Sequence, residues 1–321
     1  MKITKIETYL VNIGHRNWPF VKVHTDEGLY GIGEAYSCGP DQATVKVIHD
    51  FAEWLVGRDP RDIEGLYHLM YAGSRFPGGS VVNAAISGIE HALWDILGKS
   101  VGEPVYRLLG GKCRDKVRVY GHIGGNTPQE VAAKAQELIG RYGYTCLKLE
   151  PAQPPDSQAL TVAELVKAVE ARMKAAREAV GDGVDIAADM HGMEFEPARA
   201  LAVCQALAPY NPFFVEEPLR PENIGALAEL ARKVDVPIAT GEMLYTKYQF
   251  NELIRERAAH VVQPDITLAG GLLEQKKIAA LAEANYAVVA PHNPCGPVAN
   301  AVNLHFAAST PNFLVLEYIP D

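Results

Sequence analysis

Six short apolar runs follow one another at nearly constant intervals in the second half of the chain, and each exits on an acidic or imidazole side chain. The runs are DIAADMH (185–191), FFVEEP (213–218), PIATGE (237–242), VVQPDI (261–266), AVVAPH (287–292) and LVLEY (314–318). The exit residues are Asp189, Glu216, Glu242, Asp265, His292 and Glu317, spaced by 27, 26, 23, 27 and 25 residues. A strand, a helix and two short loops take about that length, which is the repeat of a β/α barrel. A barrel gathers the C-terminal ends of its strands around one mouth, so carboxylates far apart in sequence are predicted to converge there. Apolar runs alone would be core. Core packing does not explain why a polar residue falls at the strand exit each time.

The length of 321 residues accommodates one large barrel and a smaller domain. Hydrophobic residues at 48% and charged residues at 21% suit a globular protein with a sizeable core. The net charge of −9, with no Lys/Arg cluster, argues against a nucleic-acid partner. It also means that an anionic substrate would need a local positive centre such as a metal. Five widely spaced cysteines without a C-x-x-C pair read as reduced thiols, which points to a cytoplasmic protein. The opening MKITKIETYL is too polar for a signal peptide, and no apolar run approaches the ~20 residues of a membrane span.

Residues 1–115 read as an α+β capping domain. ITKIETYLVNI, FVKVHTDEG and LYGIGEA alternate apolar and polar residues around turns such as Asp26-Glu27-Gly28, predicting an antiparallel meander. Helices follow, one from a cap at Asp41 and one over SVVNAAISGIEHALWDILGK, where Ile86, Ile89, Leu93, Ile96 and Leu97 recur at helical spacing. The glycine-rich LLGGKCRDK (108–116) marks the boundary. Residues 116–321 then alternate strands and helices: VRVYGHI and CLKLE, each with its helix, precede the six runs. Eight strands of this kind predict an α/β fold with a parallel TIM-like barrel, without an eighth helix after Tyr318.

Asp189, Glu216 and Glu242 end three successive strands. Three neighbouring carboxylates repel one another unless a cation lies between them. Oxygen ligands without Cys or a His pair favour Mg²⁺ over zinc, and three protein oxygens leave coordination positions for water and substrate. Alternation sends the Glu217 side chain away from that of Glu216, so Glu217 is expected to support the site from behind.

The joint set Asp189-x-His191, Glu216-Glu217-Pro218, Gly241-Glu242, Gln263-Pro264-Asp265 and Pro291-His292 resembles the enolase superfamily, in its mandelate racemase-like branch. The similarity also takes in VKVHTDEGLYGIGEA, SGIEHALWDILGK and LLGGK, and so covers nearly the whole chain. It implies a (β/α)₇β barrel under an α+β cap, Mg²⁺ on Asp189, Glu216 and Glu242, and removal of a proton α to a carboxylate. That proton is weakly acidic, so the charge left behind must be stabilised electrostatically. Glu317 resembles the family residue that hydrogen-bonds a substrate carboxylate oxygen, for which it would have to be protonated or water-bridged.

Asp265 and His292 end adjacent strands. A carboxylate on one imidazole nitrogen fixes the tautomer and supports the imidazolium, which makes His292 the candidate base. Racemases of the family carry Lys-x-Lys on the second barrel strand; here Lys148-Leu149-Glu150 puts a carboxylate in the second position. A two-lysine-type racemase is thereby disfavoured, while Lys148 is a candidate for the substrate carboxylate or for a barrel salt bridge. His191, two residues past Asp189, is expected on the same strand face. Asp-x-His resembles the acid-sugar dehydratases of the galactonate dehydratase type. The resemblance implies that His292 takes the C2 proton of an aldonate and protonated His191 donates to the departing C3 hydroxyl, giving a 2-keto-3-deoxy acid. A racemase or epimerase using His191 and His292, and a non-catalytic metal-dependent acid-binding homologue, are the alternatives.

Arg16, Asn17 and Trp18 fall where the family's specificity loop lies and are candidates for distal hydroxyls, as is His122 near the end of the first barrel strand. Gly31-Ile32-Gly33 has Tyr36 at the third position of a dinucleotide fingerprint and lies in a hairpin, which rejects an NAD site. Family members usually continue beyond the last strand, so a chain stopping at Asp321 suggests a truncated sequence or a reduced cap. The resemblance also suggests an even-numbered homo-oligomer.

Overall fold

The structure, a computed structural model, describes residues 1–152, 161–194 and 196–319. Strands β1 (Ile3–Asn12), β2 (Asn17–Thr25) and β3 (Tyr30–Glu34) form an antiparallel sheet in the order β1-β2-β3. Alternation gives β2 an inner face of buried Pro19, Val21, Val23 and Thr25. Helices α1 (Asp41–Leu55), α2 (Ile63–Gly73) and α3 (Ser80–Val101) cover it. Gly31 and Gly33 serve this packing: a Cβ on either would fall 1.9 Å from a carbonyl oxygen of α3, of Ala92 or Gly88 respectively. The Asp41 expectation changes in detail. Asp41 is the first residue of α1, behind Pro40, and its carboxylate makes no cap bond but accepts from Asn17 Nδ2 and Ser37 Oγ.

A short helix α4 (Val105–Leu108) and the left-handed pair Gly110-Gly111 lead into the alternating part. Its elements are β4 (Val119–Ile123), α5 (Pro128–Tyr142), β5 (Cys146–Leu149), α6 (Val162–Val180), β6 (Asp185–Asp189) and α7 (Pro197–Leu207). Then come β7 (Val215–Glu216), α8 (Ile224–Ala231), β8 (Ile238–Thr240), α9 (Thr246–Arg255), β9 (Val261–Val262) and α10 (Leu272–Ala284). The last are β10 (Val288–Val289), α11 (Pro297–Ala308) and β11 (Leu316–Glu317). Helices α5 and α6 start at capping boxes, Thr127 with Glu130 and Thr161 with Glu164, each pairing satisfying two otherwise free N–H groups.

The eight parallel strands run in the order β10-β9-β8-β7-β6-β5-β4-β11. The sheet closes where Val289 N donates to Asn312 O and Leu314 N donates to Val289 O. The fold is therefore the expected (β/α)₇β barrel with a separate antiparallel layer. Pro320 and Asp321, the last residues after the final strand, lie outside the described residues. Among the described residues no helix is long and apolar enough to cross a membrane.

Each strand line contributes one side chain to a closed apolar plug: Tyr120, Cys146, Ala187, Phe214, Ala239, Val261, Ala290 and Val315. Side chains alternate along a strand, so the residue two further on also faces the barrel axis. Those residues are His122, Lys148, Asp189, Glu216, Gly241, Gln263, His292 and Glu317. A floor of apolar side chains thus carries a layer of polar ones at the mouth.

Candidate active site

Lys148 occupies the middle of this polar layer. Its side chain is 2% exposed, and its ammonium lies 2.9 Å from Asp189 Oδ2, 3.1 Å from Glu216 Oε1 and 3.0 Å from Glu317 Oε1. Below it is the ring of Tyr120, 5.4 Å from Nζ. Burial alone would favour the neutral amine, but Asp189, Glu216 and Glu317 outweigh it and hold Lys148 charged, well above the ordinary lysine range. Glu317 answers this charge. Burial would raise its pKa, yet Lys148, His292 and His122 keep it well below the usual carboxylate range. It accepts from Asn293 N at 2.6 Å and stands 2.7 Å from His122 Nε2. Held below the carboxylate range and surrounded by donors, Glu317 is an acceptor in this arrangement.

Glu216 pairs with Asp189 in register across β6 and β7. One ammonium does not neutralise both: burial and the nearby Asp189 push Glu216 up to about 8. Glu242, two residues beyond β8, turns towards the other side of the mouth, with Oε2 3.5 Å from His292 Nε2. As the side chains stand, no three or more His, Cys, Asp or Glu among the described residues are grouped to hold a metal. The donor set nonetheless suits a hard cation. Glu216 Oε2 and Glu217 Oε2 are buried without a hydrogen-bond donor among the described residues, and Glu242 Oε2 has no hydrogen bond there beyond its 3.5 Å ion pair with His292. Unpaired buried carboxylate oxygens are costly unless a cation meets them.

His292 Nδ1 lies 2.8 Å from Asp265 Oδ2. Thr267 N and Oγ1 donate to the other Asp265 oxygen at 2.7 and 2.5 Å, so the carboxylate is fixed from both sides. Burial would lower His292, but Glu242, Glu317 and Asp265 outweigh it and raise it to about 10. His292 and Glu242 line a cavity of about 260 Å³ with Met243, Tyr245 and Leu268 of the barrel and with Tyr36, Ser37, Cys38 and Ser80 of the N-terminal layer.

The mouth also receives His191, by a different route from simple alternation. Strand β6 ends at Asp189, and His191 has a left-handed backbone, φ 50°. Its N–H donates to Asp189 Oδ1 at 2.9 Å, while its ring lies 3.5 Å from Asp189 Oδ2 and 3.9 Å from Glu150 Oε2. Glu217 likewise lies beyond its strand with φ 41°, so alternation does not direct it. It accepts from Thr240 Oγ1 at 2.9 Å and remains buried beside Glu242. His122 sits next to Glu317, partly exposed.

Arg16 lies in the turn between β1 and β2, but Asn17 and Trp18, expected in a loop, are the first residues of β2 and pair with Asn12 and Val11, so only part of this set is available to a ligand. Asn17 donates to Asp41 Oδ2 and accepts from Asn12 Nδ2. Trp18 packs where a side chain on Gly296 would otherwise lie, and Arg16 Nε donates to His15 Nε2 at 3.2 Å. Sequence reasoning gave no role to Gln263, which is wholly buried in the polar layer with neither amide atom hydrogen-bonded among the described residues. It also passed over Tyr36, whose ring centroid lies 6.1 Å from that of His292. The step of two from each plug residue would have found Gln263. Nothing local to the sequence marks Tyr36.

Residues 130–321 match the family described as enolase C-terminal domain-like, and residues 5–110 match the mandelate racemase / muconate lactonizing enzyme N-terminal domain. D-galactonate dehydratase of Variovorax paradoxus (strain S110) is 39% identical over 304 residues, which is 95% of this chain and 78% of that protein. D-galactonate dehydratase of Ralstonia nicotianae is 39% identical over 305 residues, with the same shares of the two chains. Among solved structures, an enolase from Agrobacterium radiobacter, provisionally named galactarate dehydratase and bound to Na and L-malate, superposes with a TM-score of 0.95 at 41% identity. That match covers 100% of this chain and 81% of the other.

Proposed function

This chain belongs to the enolase superfamily, in its mandelate racemase / muconate lactonizing enzyme family, and from that premise we propose that it is a Mg²⁺-dependent aldonate dehydratase. It is an enzyme, a carbon–oxygen lyase of the hydro-lyase kind, as its dehydratase relatives are. Residues 1–115 form its capping domain and residues 116–321 its catalytic barrel, in a cytoplasmic, even-numbered homo-oligomer. The observation that carries the reading is the His292–Asp265 pair, 2.8 Å apart, opening onto the same cavity as Glu242.

Asp189, Glu216 and Glu242 would hold Mg²⁺, which would supply Lewis-acid stabilisation of the substrate carboxylate as the C2 proton leaves. With Glu242 bound to Mg²⁺, the largest of the charges that raise His292 would be cancelled, leaving a neutral imidazole whose Nδ1–H stays on Asp265 and whose Nε2 takes the C2 proton. Asp265 then stabilises the imidazolium. His191, on the exposed side of the mouth, gives a proton to the C3 hydroxyl as the C3–O bond breaks and water leaves. The resulting enol takes a proton at C3 and loses the one on its C2 hydroxyl to become the 2-keto-3-deoxy acid. Lys148 holds Asp189, Glu216 and Glu317 in place and offers its charge towards the substrate carboxylate, with Glu317 and His122 beside it. Arg16 and Trp18 border the distal end, and Asn17, bonded to Asp41, anchors the start of β2 between them.

Screening aldonates and aldarates with Mg²⁺ and a 2-keto-acid colour assay tests the proposal. Colour from at least one aldonate is expected. Deuterium entering C2 without loss of water would instead indicate a racemase or epimerase working through His191 and His292. No turnover across the set would leave the proposal without support and favour metal-dependent acid binding.

A further inference from the structure

Helix α11 begins four residues after His292, at Gly296-Pro297, and its first turn has no capping side chain of its own. The missing acceptor comes from the other layer of the fold. Glu34, at the end of β3 and 1% exposed, accepts from Gly296 N at 2.6 Å and from Ala299 N at 2.9 Å. The fit is closed: a Cβ on Gly296 would fall 2.8 Å from Glu34 Oε1 and 2.9 Å from the Trp18 ring. A helix N-terminus needs only a local Ser, Thr or Asp to satisfy its free N–H groups. Here a buried carboxylate from a distant strand does so, next to the segment that carries the base.

The same stretch of chain grips the other half of the pair. Tyr36 N, two residues after Glu34, donates to Thr267 O at 3.2 Å. Thr267 in turn donates twice to Asp265 Oδ1, at 2.7 and 2.5 Å. Cys295 joins the two arms, with its sulfur 3.5 Å from Thr267 Oγ1 and 3.7 Å from Asp265 Oδ2. Between the arms stands the 2.8 Å contact of His292 with Asp265.

We propose that Glu34–Tyr36 is a clamp that sets the His292–Asp265 pair, and that Glu34 is its positioning residue. One arm fixes the loop after His292 and the other fixes the turn after Asp265. Seating of the N-terminal layer on the barrel is thereby coupled to the alignment of the base. The inference rests on the reading of His292 as that base. Its effect falls on proton abstraction, to which an aligned general base contributes about 10²–10⁴-fold. Substrate and metal affinity draw on other residues.

Glu34→Gln replaces one of the two acceptor oxygens of the clamp with an N–H donor. Thr267→Val, nearly isosteric, removes one bond of the second arm and keeps the test open if the first variant does not fold. The full chain is loaded with Mg²⁺. Steady-state kinetics are measured with the best acid sugar, and the far-downfield proton signal of the His292 Nδ1–H is recorded, assigned by its loss in His292→Asn. The clamp predicts at least a tenfold fall in kcat with KM within threefold, together with a shifted or broadened His292 signal. A kcat within threefold of wild type and an unchanged signal in a folded Glu34→Gln overturn it, leaving Glu34 as interlayer packing alone. If wild type turns over no acid sugar, the dehydratase reading fails, and the proton signal alone decides the clamp in the same sense.

Discussion

Lys148 Nζ lies 2.9 Å from Asp189 Oδ2 at a point where both side chains are almost wholly buried. The ammonium is also the shared counter-ion of Glu216 and Glu317. Removing one partner of a buried charge cluster leaves the others uncompensated, which costs about 3–5 kcal/mol. Lys148→Met is therefore expected to lower unfolding free energy in metal-free buffer by that amount, as read by urea denaturation. Mg²⁺ should recover part of the loss. A variant as stable as wild type without metal would contradict this placement of charge.

Chelation should abolish turnover, and Mg²⁺ should restore it. Metal bound to the folded state alone also stabilises the fold, by about 2.7 kcal/mol at a hundredfold excess over Kd. Asp189→Asn and Glu216→Gln should lose that Mg²⁺-dependent rise in Tm. A rise retained in both variants would remove these residues from the metal site.

Glu90 gives a pH signature away from the metal. It accepts from Leu272 N, Leu273 N and Trp94 Nε1 at the start of α10. Burial outweighs those donors and raises it from 4.5 to about 7. A raised carboxyl pKa favours the fold fully below the unfolded value, and this contribution is lost as pH rises through the folded one. Relative to Glu90→Gln, wild type should lose on the order of 3 kcal/mol between about pH 4.5 and 7. Equal pH slopes for the two proteins in denaturation curves would refute it.

His191→Asn separates the two halves of the reaction. With the acid removed and the base intact, C2 should still exchange with deuterium from solvent while water loss falls by about 10²-fold or more. If exchange and elimination fall together, His191 is not the acid for the leaving hydroxyl.

Much of the barrel could be read from period and strand exits, because apolar runs of constant spacing leave few other arrangements. Asp189, Glu216, His292 and Glu317 stand two residues past the plug, so alternation alone places them at the mouth. Glu242 and Asp265 lie in the loops beyond, and spacing could not say which way they turn. His191 and Glu217 escaped the alternation rule because the backbone has already left the strand, with φ of 50° and 41°. The partners of Lys148 come from three strands, and the hold of Glu34 on Gly296 joins residues 262 apart. Such contacts are set by tertiary packing and leave no local pattern in the sequence.

We assign to His292, held by Asp265, removal of the C2 proton of an acid sugar as water leaves C3. Proton NMR of the reaction in D₂O, with Mg²⁺ and wild-type protein beside His292→Asn, tests it most directly. Wild type is expected to give a 2-keto-3-deoxy acid, and a folded variant that still binds Mg²⁺ neither product nor C2 exchange. Product or C2 exchange at wild-type rates from His292→Asn would contradict it.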